Sequence, residues 1–170
     1  MSGNDAPASA GVSTSRFREV LGHFASGLTI VTGVDHGGPV GFTCQAFMSL
    51  SLVPPLIAIA PSKASTSWPR IAPAGTFCAN VMSEDQEELC RDFAVSGADQ
   101  HDKFTGVGWS PGPGGVPVLD GALAWVICRT CQTHQAGDHE IVVGEVEESG
   151  VDNSGRPLVF YRGGFGRFEP

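Results

Sequence analysis

Apolar positions recur along this chain with two different periods, and the period predicts which element forms where. Phe17, Val20, Leu21 and Phe24 fall at i, i+3, i+4 and i+7, one face of an α-helix. The hydroxyl cluster Ser13–Ser15 stands just before them, where an N-cap is needed, and Gly27 ends the pattern. From there the runs shorten and become β-branched. LTIVTGV (28–34) leads into the turn residues DHGG (35–38), so 28–43 reads as a hairpin. Pro54 and Pro55 precede a second apolar strand, LIAIA (56–60), and TFCANV (76–81) is a third. Ser83 to Gln86 matches a capping box, with Leu89 and Phe93 four apart on the helix it starts. A loop rich in Gly and Pro covers about 105–117. Two long strands (122–133 and 139–148) and a terminal pair around 158–162 and 165–169 complete the chain.

Six or more strands with only two sizeable helices exclude a parallel βαβ architecture, which needs a helix between most strands. Several strands are apolar on both faces, as in a barrel wall packed inside and covered outside. The expected fold is mainly β: a closed or partly split antiparallel barrel of Greek-key type with a few short helices. With 170 residues the chain can bury a core without disulfide staples. Residues 1–12 read as a flexible tail and 13–170 as one domain without internal repeats.

Charge narrows the function. A formal net charge of −8 argues against a general nucleic-acid binder and against adhesion to anionic membranes. Any anionic ligand must be held by local groups, because the average field repels it. No apolar run approaches the roughly 18 residues of a spanning helix, and the first residues lack a secretory signal pattern. The expected location is the cytoplasm. There, most of the five cysteines are expected to be free and buried.

Candidate chemistry falls in four places. Cys128 and Cys131 have CxxC spacing, but on a strand residues three apart face opposite ways, and no second pair completes a zinc site. Buried structural cysteine is the better reading. The glycine clusters at 112–115 and 163–166 lack the full dinucleotide fingerprint and read as turns. APSKASTSWPR (60–70) gathers Ser62, Lys63, Ser65, Thr66 and Ser67 between a buried strand and a short helix. Hydroxyls, a lysine and helix-start amides suit a phosphate, and they equally suit a polar turn with an N-cap. Residues 41–55 mix Thr43, Gln45, Ser49 and Ser51 with apolar neighbours. That fits backbone groups aimed at a flat ring, or simply a hydroxyl-rich barrel strand. His139, beside Asp138 at a strand mouth, fits ligand contact or proton traffic, or an ordinary turn.

Taken in order, seven segments resemble the short-chain flavin reductase family, the reductase components of two-component flavin-dependent monooxygenases. They are FREVLGHFASGLTIVT (17–32), GFTCQAFMSLSLVPPLIAI (41–59), PSKASTSW (61–68), FCANVM (77–82), DKF (102–104), GDHEIVVGEVE (137–147) and PLVFYRGGF (157–165). The resemblance spans roughly 16–168 and is strongest to reductases serving aromatic or steroid-ring hydroxylases. Ser26 and Val53 depart from it, where many relatives carry a threonine and an acidic residue.

The resemblance implies an FMN-binding split barrel that forms a homodimer, holds FMN or FAD, and takes hydride from NADH or NADPH without a metal. Its partner would be a monooxygenase receiving reduced flavin. It further implies that Thr43, Cys44 and Gln45 line the flavin, with Ser49 and Ser51 along its ribityl and ring edge. Ser62, Lys63, Ser65 and Thr66 would hold the ring edge or phosphate. Phe104 would pack beside the ring, with Lys103 near the phosphate. His139 would meet the nicotinamide with Asp138 beside it, and Tyr161 and Arg162 belong to the matching terminal segment. Competing readings are a non-enzymatic flavin or haem binder on the same barrel, and a related barrel oxidoreductase acting on another substrate.

Overall fold

The Ser13 hydroxyl accepts the Arg16 amide at 3.3 Å and caps helix α1 (Thr14–Leu21), as its position demands. The computed structural model describes residues 11–97, 103–152 and 155–169, and most of the expected tail lies outside them. After a short strand β1 (Ser26–Gly27), strands β2 (Thr29–Asp35) and β3 (Gly38–Cys44) form the expected hairpin. Strands β4 (Phe47–Leu52) and β5 (Pro55–Ile59) make a second one. Helix α2 (Trp68–Ile71) and strand β6 (Thr76–Val81) follow. The Ser83–Gln86 capping box forms with both halves present and leads through a tight turn into helix α3 (Glu87–Ala94). The segment expected to be a loop holds a two-stranded sheet, β7 (Trp109–Pro111) and β8 (Pro117–Leu119). Its Gly and Pro residues mask the strands, which pair with each other rather than with a central neighbour. The long strands β9 (Ala124–Ala136) and β10 (His139–Val151) precede the terminal hairpin of β11 (Leu158–Tyr161) and β12 (Gly164–Arg167).

Seven strands form one antiparallel sheet in the order β3-β2-β6-β9-β10-β5-β4, and a second sheet runs β1-β11-β12. Laid flat, the outer strands β3 and β4 would stand about 29 Å apart at ~4.8 Å per strand. Only Gln45 and Ala46 connect them, which reach about 11 Å. The sheet must therefore curl until its edges meet, and the fold is a split antiparallel barrel. Its interior holds Val31, Phe42, Ile57, Ile59, Phe77 and Val142. Ile30, Met82, Phe93, Phe104 and Leu158 fill a second cluster. Ile30 and Val31, adjacent on β2, thus serve different clusters and are both fully buried. That is why the strand shows no polar face.

Polar side chains are buried with them, among them Thr29, Thr32 and Asn80. The Asn80 side chain donates to Ile30 O at 3.0 Å and Thr32 Oγ1 at 3.1 Å, and accepts the Leu119 amide at 2.9 Å. It ties β6 to β2 and β8, with each of these bonds replacing one to water. Cys44, Cys78, Cys90 and Cys128 are buried and Cys131 is exposed, so the CxxC pair splits across the strand as its spacing predicts. Burial pushes the Cys128 thiol up to about 12, which disfavours thiolate chemistry there. Among the described residues no helix is long and apolar enough to cross a membrane.

Candidate functional site

Where the barrel edges meet, a cavity of about 1260 Å³ opens. Three groups of elements wall it. The first is the end of β3 with its link to β4, contributing Phe42, Thr43, Cys44 and Gln45. The second joins the end of β5 and the 60–67 loop to the mouth of β10, contributing Ser62, Ser65 and His139. The third is α1 with the β11–β12 turn, together with the end of α3 and Lys103. Segments about 120 residues apart in sequence (17–24 and 139–141) share this space only because the barrel closes.

Local bonds fix each wall. The Thr43 hydroxyl donates to Cys90 O at 2.6 Å, fastening β3 to α3, and Gln45 Nε2 donates to Ser26 Oγ at 3.1 Å. The 60–67 loop is strapped to the β9–β10 turn. Lys63 N donates to Asp138 O at 2.9 Å, Glu140 N to Pro61 O at 3.0 Å, and Lys63 Nζ to Gly137 O at 2.7 Å. Lys63 therefore braces the turn and does not line the cavity. Ser62 Oγ accepts the Ala64 amide at 3.2 Å, and Ser65 Oγ accepts those of Ser67 and Trp68 at 3.3 and 3.1 Å. These are the bonds of a polar capped turn. Because both hydroxyls act as acceptors there, each keeps its O–H to donate elsewhere, and both serines line the cavity.

His139 Nδ1 lies 2.8 Å from Asp138 Oδ1. An ionised carboxylate only accepts, so Nδ1 carries the proton and Nε2 is left for a ligand. That bond also holds the exposed Asp138 carboxyl below its ordinary value. The next residue, Glu140, accepts from Trp68 Nε1 at 3.2 Å, and Trp68 stands edge-on to Phe42 of the cavity wall with centroids 6.3 Å apart.

Lys103 is the unusual group. Its side chain is buried, and Nζ donates to Phe93 O at 3.2 Å. Among the described residues no carboxylate pairs with it. Desolvation lowers its pKa from the ordinary lysine value. An ammonium donates up to three hydrogen bonds, and Phe93 O is the partner of this one among the described residues, at the cavity wall.

Of the candidate site residues singled out from the sequence, the cavity brings together Thr43, Cys44, Gln45, Ser62, Ser65, Ser67, Lys103, His139 and Arg162. Ser49 and Ser51 lie on β4 outside it, and Ser51 Oγ instead accepts the Val53 amide at 3.2 Å. Thr66 Oγ1 accepts the Gly97 amide at 3.1 Å. Phe104 packs in the core against Phe93, centroids 5.0 Å apart, and so sits one ring behind the wall. Tyr161 stands edge-on to His23 at 6.2 Å. Asp138 acts on the cavity through His139. Sequence reasoning missed Phe42, Phe93 and Arg18, all of which line the cavity. The signal for Arg18 was present: it lies three residues before Leu21 on the apolar face of α1.

Comparison with known proteins gives a consistent family. Residues 21–169 match the model described as flavin reductase like domain. The chain is 43% identical, over its full length and 86% of the relative, to the reductase subunit HsaB of a flavin-dependent monooxygenase from Rhodococcus jostii. It is 40% identical to the FMN reductase (NADH) SmoA of Agrobacterium fabrum, covering 93% of this chain and 88% of that one. Among solved structures it is similar to nitrilotriacetate monooxygenase component B from Mycobacterium thermoresistibile. That match has a TM-score of 0.84 and 44% identity, over 91% of this chain and 86% of that one.

Proposed function

The chain belongs to the flavin reductase-like family, and on that premise we propose how its own residues serve hydride transfer from NADH to a flavin. The enzyme is a nicotinamide-dependent flavin reductase whose reduced flavin serves a separate monooxygenase component. A bound flavin would supply the acceptor for the hydride of the nicotinamide.

The cavity suits two ligands held face to face. Sites for one ligand run to roughly 300–1,000 Å³, and this one is about 1260 Å³. The observation that carries the reading is Lys103. A buried cation with no carboxylate partner among the described residues, in a chain of net charge −8, is compensated when an anionic flavin occupies the cavity. Lys103 Nζ and the Ser62 and Ser65 hydroxyls would hold the flavin phosphate or ring edge, while the backbone of residues 43–45 would line the ring. His139 orients the nicotinamide through Nε2, with Asp138 keeping the imidazole in one tautomer, so that the protein's share of catalysis is alignment. Thr66, Lys63, Ser49 and Ser51 support the walls in this reading rather than touch the ligand.

The working unit is proposed to be a homodimer. Phe17, Leu21 and Phe24 of the first helical segment and Met48 of β4 line the cavity yet are more than half exposed. Leu52 and Val53 at the β4–β5 turn are 87% and 91% exposed. An apolar surface of that extent is covered in stable proteins, and a second copy of this chain would cover it and close the cavity mouth. The proposed site of action is the cytoplasm, where NADH is supplied.

The deciding assay follows nicotinamide absorbance with added FMN, FAD or no flavin. Oxidation of NADH that depends on flavin is the expected outcome; no oxidation by folded protein under any combination would sink the reading. A Lys103→Met variant tests the anion contact. FMN affinity is expected to fall about ten-fold, the scale of a charge-assisted bond, while riboflavin binding changes little. Equal affinity of the variant and the parent for FMN would remove Lys103 from the site.

A further inference from the structure

Beside the main cavity lies a second one of about 410 Å³, lined by Ser15, Arg18, Glu19, Gly22, Arg162 and Gly163. It shares Arg18, Gly22, Arg162 and Gly163 with the main cavity, so the two adjoin through a pair of arginines. Backbone bonds bring those arginines together. Gly22 caps α1 by donating to Arg18 O at 2.9 Å, and its own carbonyl accepts the Arg162 amide at 2.9 Å. His23 and Tyr161, their chain neighbours, meet edge-on.

Three features set this pair apart. Arg16, Arg70, Arg91, Arg129 and Arg167 each reach a carboxylate. Arg18 and Arg162 reach none among the described residues, although acidic side chains outnumber basic ones in this chain by 18 to 10; Arg156 reaches none either, but it lines neither cavity. Glu19, the carboxylate in the lining, is engaged by Arg16 at 2.9 Å. Finally, Arg162 sits at φ 50 in the two-residue loop between β11 and β12, with Gly163 at φ 78. A loop with both φ positive is adopted without strain by Asn-Gly, and Arg162 is the one positive-φ residue other than glycine among the described residues. The turn needs asparagine or glycine; an arginine there is explained by what its side chain does.

We propose that Arg18 and Arg162 form a subsite for the pyrophosphate of a dinucleotide, either FAD or NADH, whose flavin or nicotinamide end occupies the main cavity. The assignment rests on the flavin reductase reading of that cavity. Lys103 with Ser62 and Ser65 suits a single phosphate, and none of the three lines the smaller cavity. Two guanidinium groups suit the two adjacent charges of a pyrophosphate, which they grip bidentately, and the adjoining volume receives part of the adenosine beyond it.

The test is equilibrium binding of riboflavin, FMN, FAD and NAD⁺ to the parent and to the double variant Arg18→Gln, Arg162→Asn. Asparagine preserves the positive-φ turn and glutamine the helix, so the melting temperature is expected to hold or rise. A loss of about ten-fold or more for FAD or NAD⁺, with FMN and riboflavin unchanged, is the expected result, and which dinucleotide weakens names the source. Raised salt should weaken that dinucleotide's binding to the parent more than to the variant. Equal weakening of FMN and FAD, or no change for either dinucleotide, overturns the assignment while leaving the reductase reading intact. A parent that binds no flavin and oxidises no NADH overturns both. If the double variant does not fold, Arg162→Asn alone is held to the same outcomes.

Discussion

Replacing His139 with alanine is expected to raise the apparent KM for NADH about ten-fold or more, while the flavin Kd shifts by less than about two-fold. The asymmetry follows from where the imidazole stands. His139 opens β10 on the wall formed with the 60–67 loop, and its Nδ1 is committed to Asp138 at 2.8 Å. Only Nε2 remains for a ligand, and one hydrogen bond to a nicotinamide carboxamide is worth about a factor of ten. The flavin contacts proposed above, by contrast, are distributed over residues 43–45, the two serines and Lys103, all of which line the cavity. Removing one imidazole leaves those intact. Steady-state kinetics at saturating flavin, with flavin fluorescence titration alongside, reads both quantities. A collapse of flavin affinity with an unchanged KM for NADH would reverse the roles given to the two walls.

Phe77→Ala is expected to destabilise the protein by about 3–5 kcal/mol, a large part of the roughly 5–15 kcal/mol that a domain possesses. Phe77 is fully buried at the centre of the barrel, with its ring edge-on to Trp68, centroids 5.8 Å apart. Gly144 on β10 makes its space: a Cβ there would lie 2.9 Å from Phe77 Cζ and 2.8 Å from Cys128 Cβ. The ladder between β9 and β10 shifts register at that glycine, so both the strand and the ring depend on the missing side chain. Truncation leaves a hole that closed walls cannot fill. It also frees Trp68, which borders Phe42 of the functional cavity, so flavin affinity should fall with stability. Urea unfolding measures the first effect as a lower midpoint at an unchanged slope. A loss below about 1 kcal/mol would mean that the barrel collapses around the gap.

How much of this was legible in advance differs between elements for physical reasons. Helix α1, the 28–43 hairpin, the capping box before α3 and the two long strands follow from side-chain periodicity and turn chemistry, which act within a few residues. The absence of helices between strands was enough to choose an antiparallel barrel. The β7–β8 ribbon escaped because its glycines and prolines conceal strand character. The resemblance to flavin reductases was legible too, since it depends on the order of short segments rather than on their contacts.

The site was legible as residue types and not as directions. The serines near 62–65 pointed to either a phosphate or a capped turn, and the structure displays the turn bonds with two hydroxyl protons still available to the cavity. Lys63 and Lys103 looked alike in sequence. Pairing of the 60–67 loop with the β9–β10 turn aims one at a backbone carbonyl, and the other is buried beside Phe93 with no carboxylate partner among the described residues. Likewise the apolar stripe of α1 promised a buried face, yet none of its residues is buried and Phe17 and Leu21 border the cavity instead.

Local patterns determined which elements form, because hydrogen-bond periodicity and backbone preference are short-range. Which side chains share a cavity was decided only when the seven-stranded sheet curled and brought its edges together. That closure depends on register between strands far apart in the chain, and no local period encodes it.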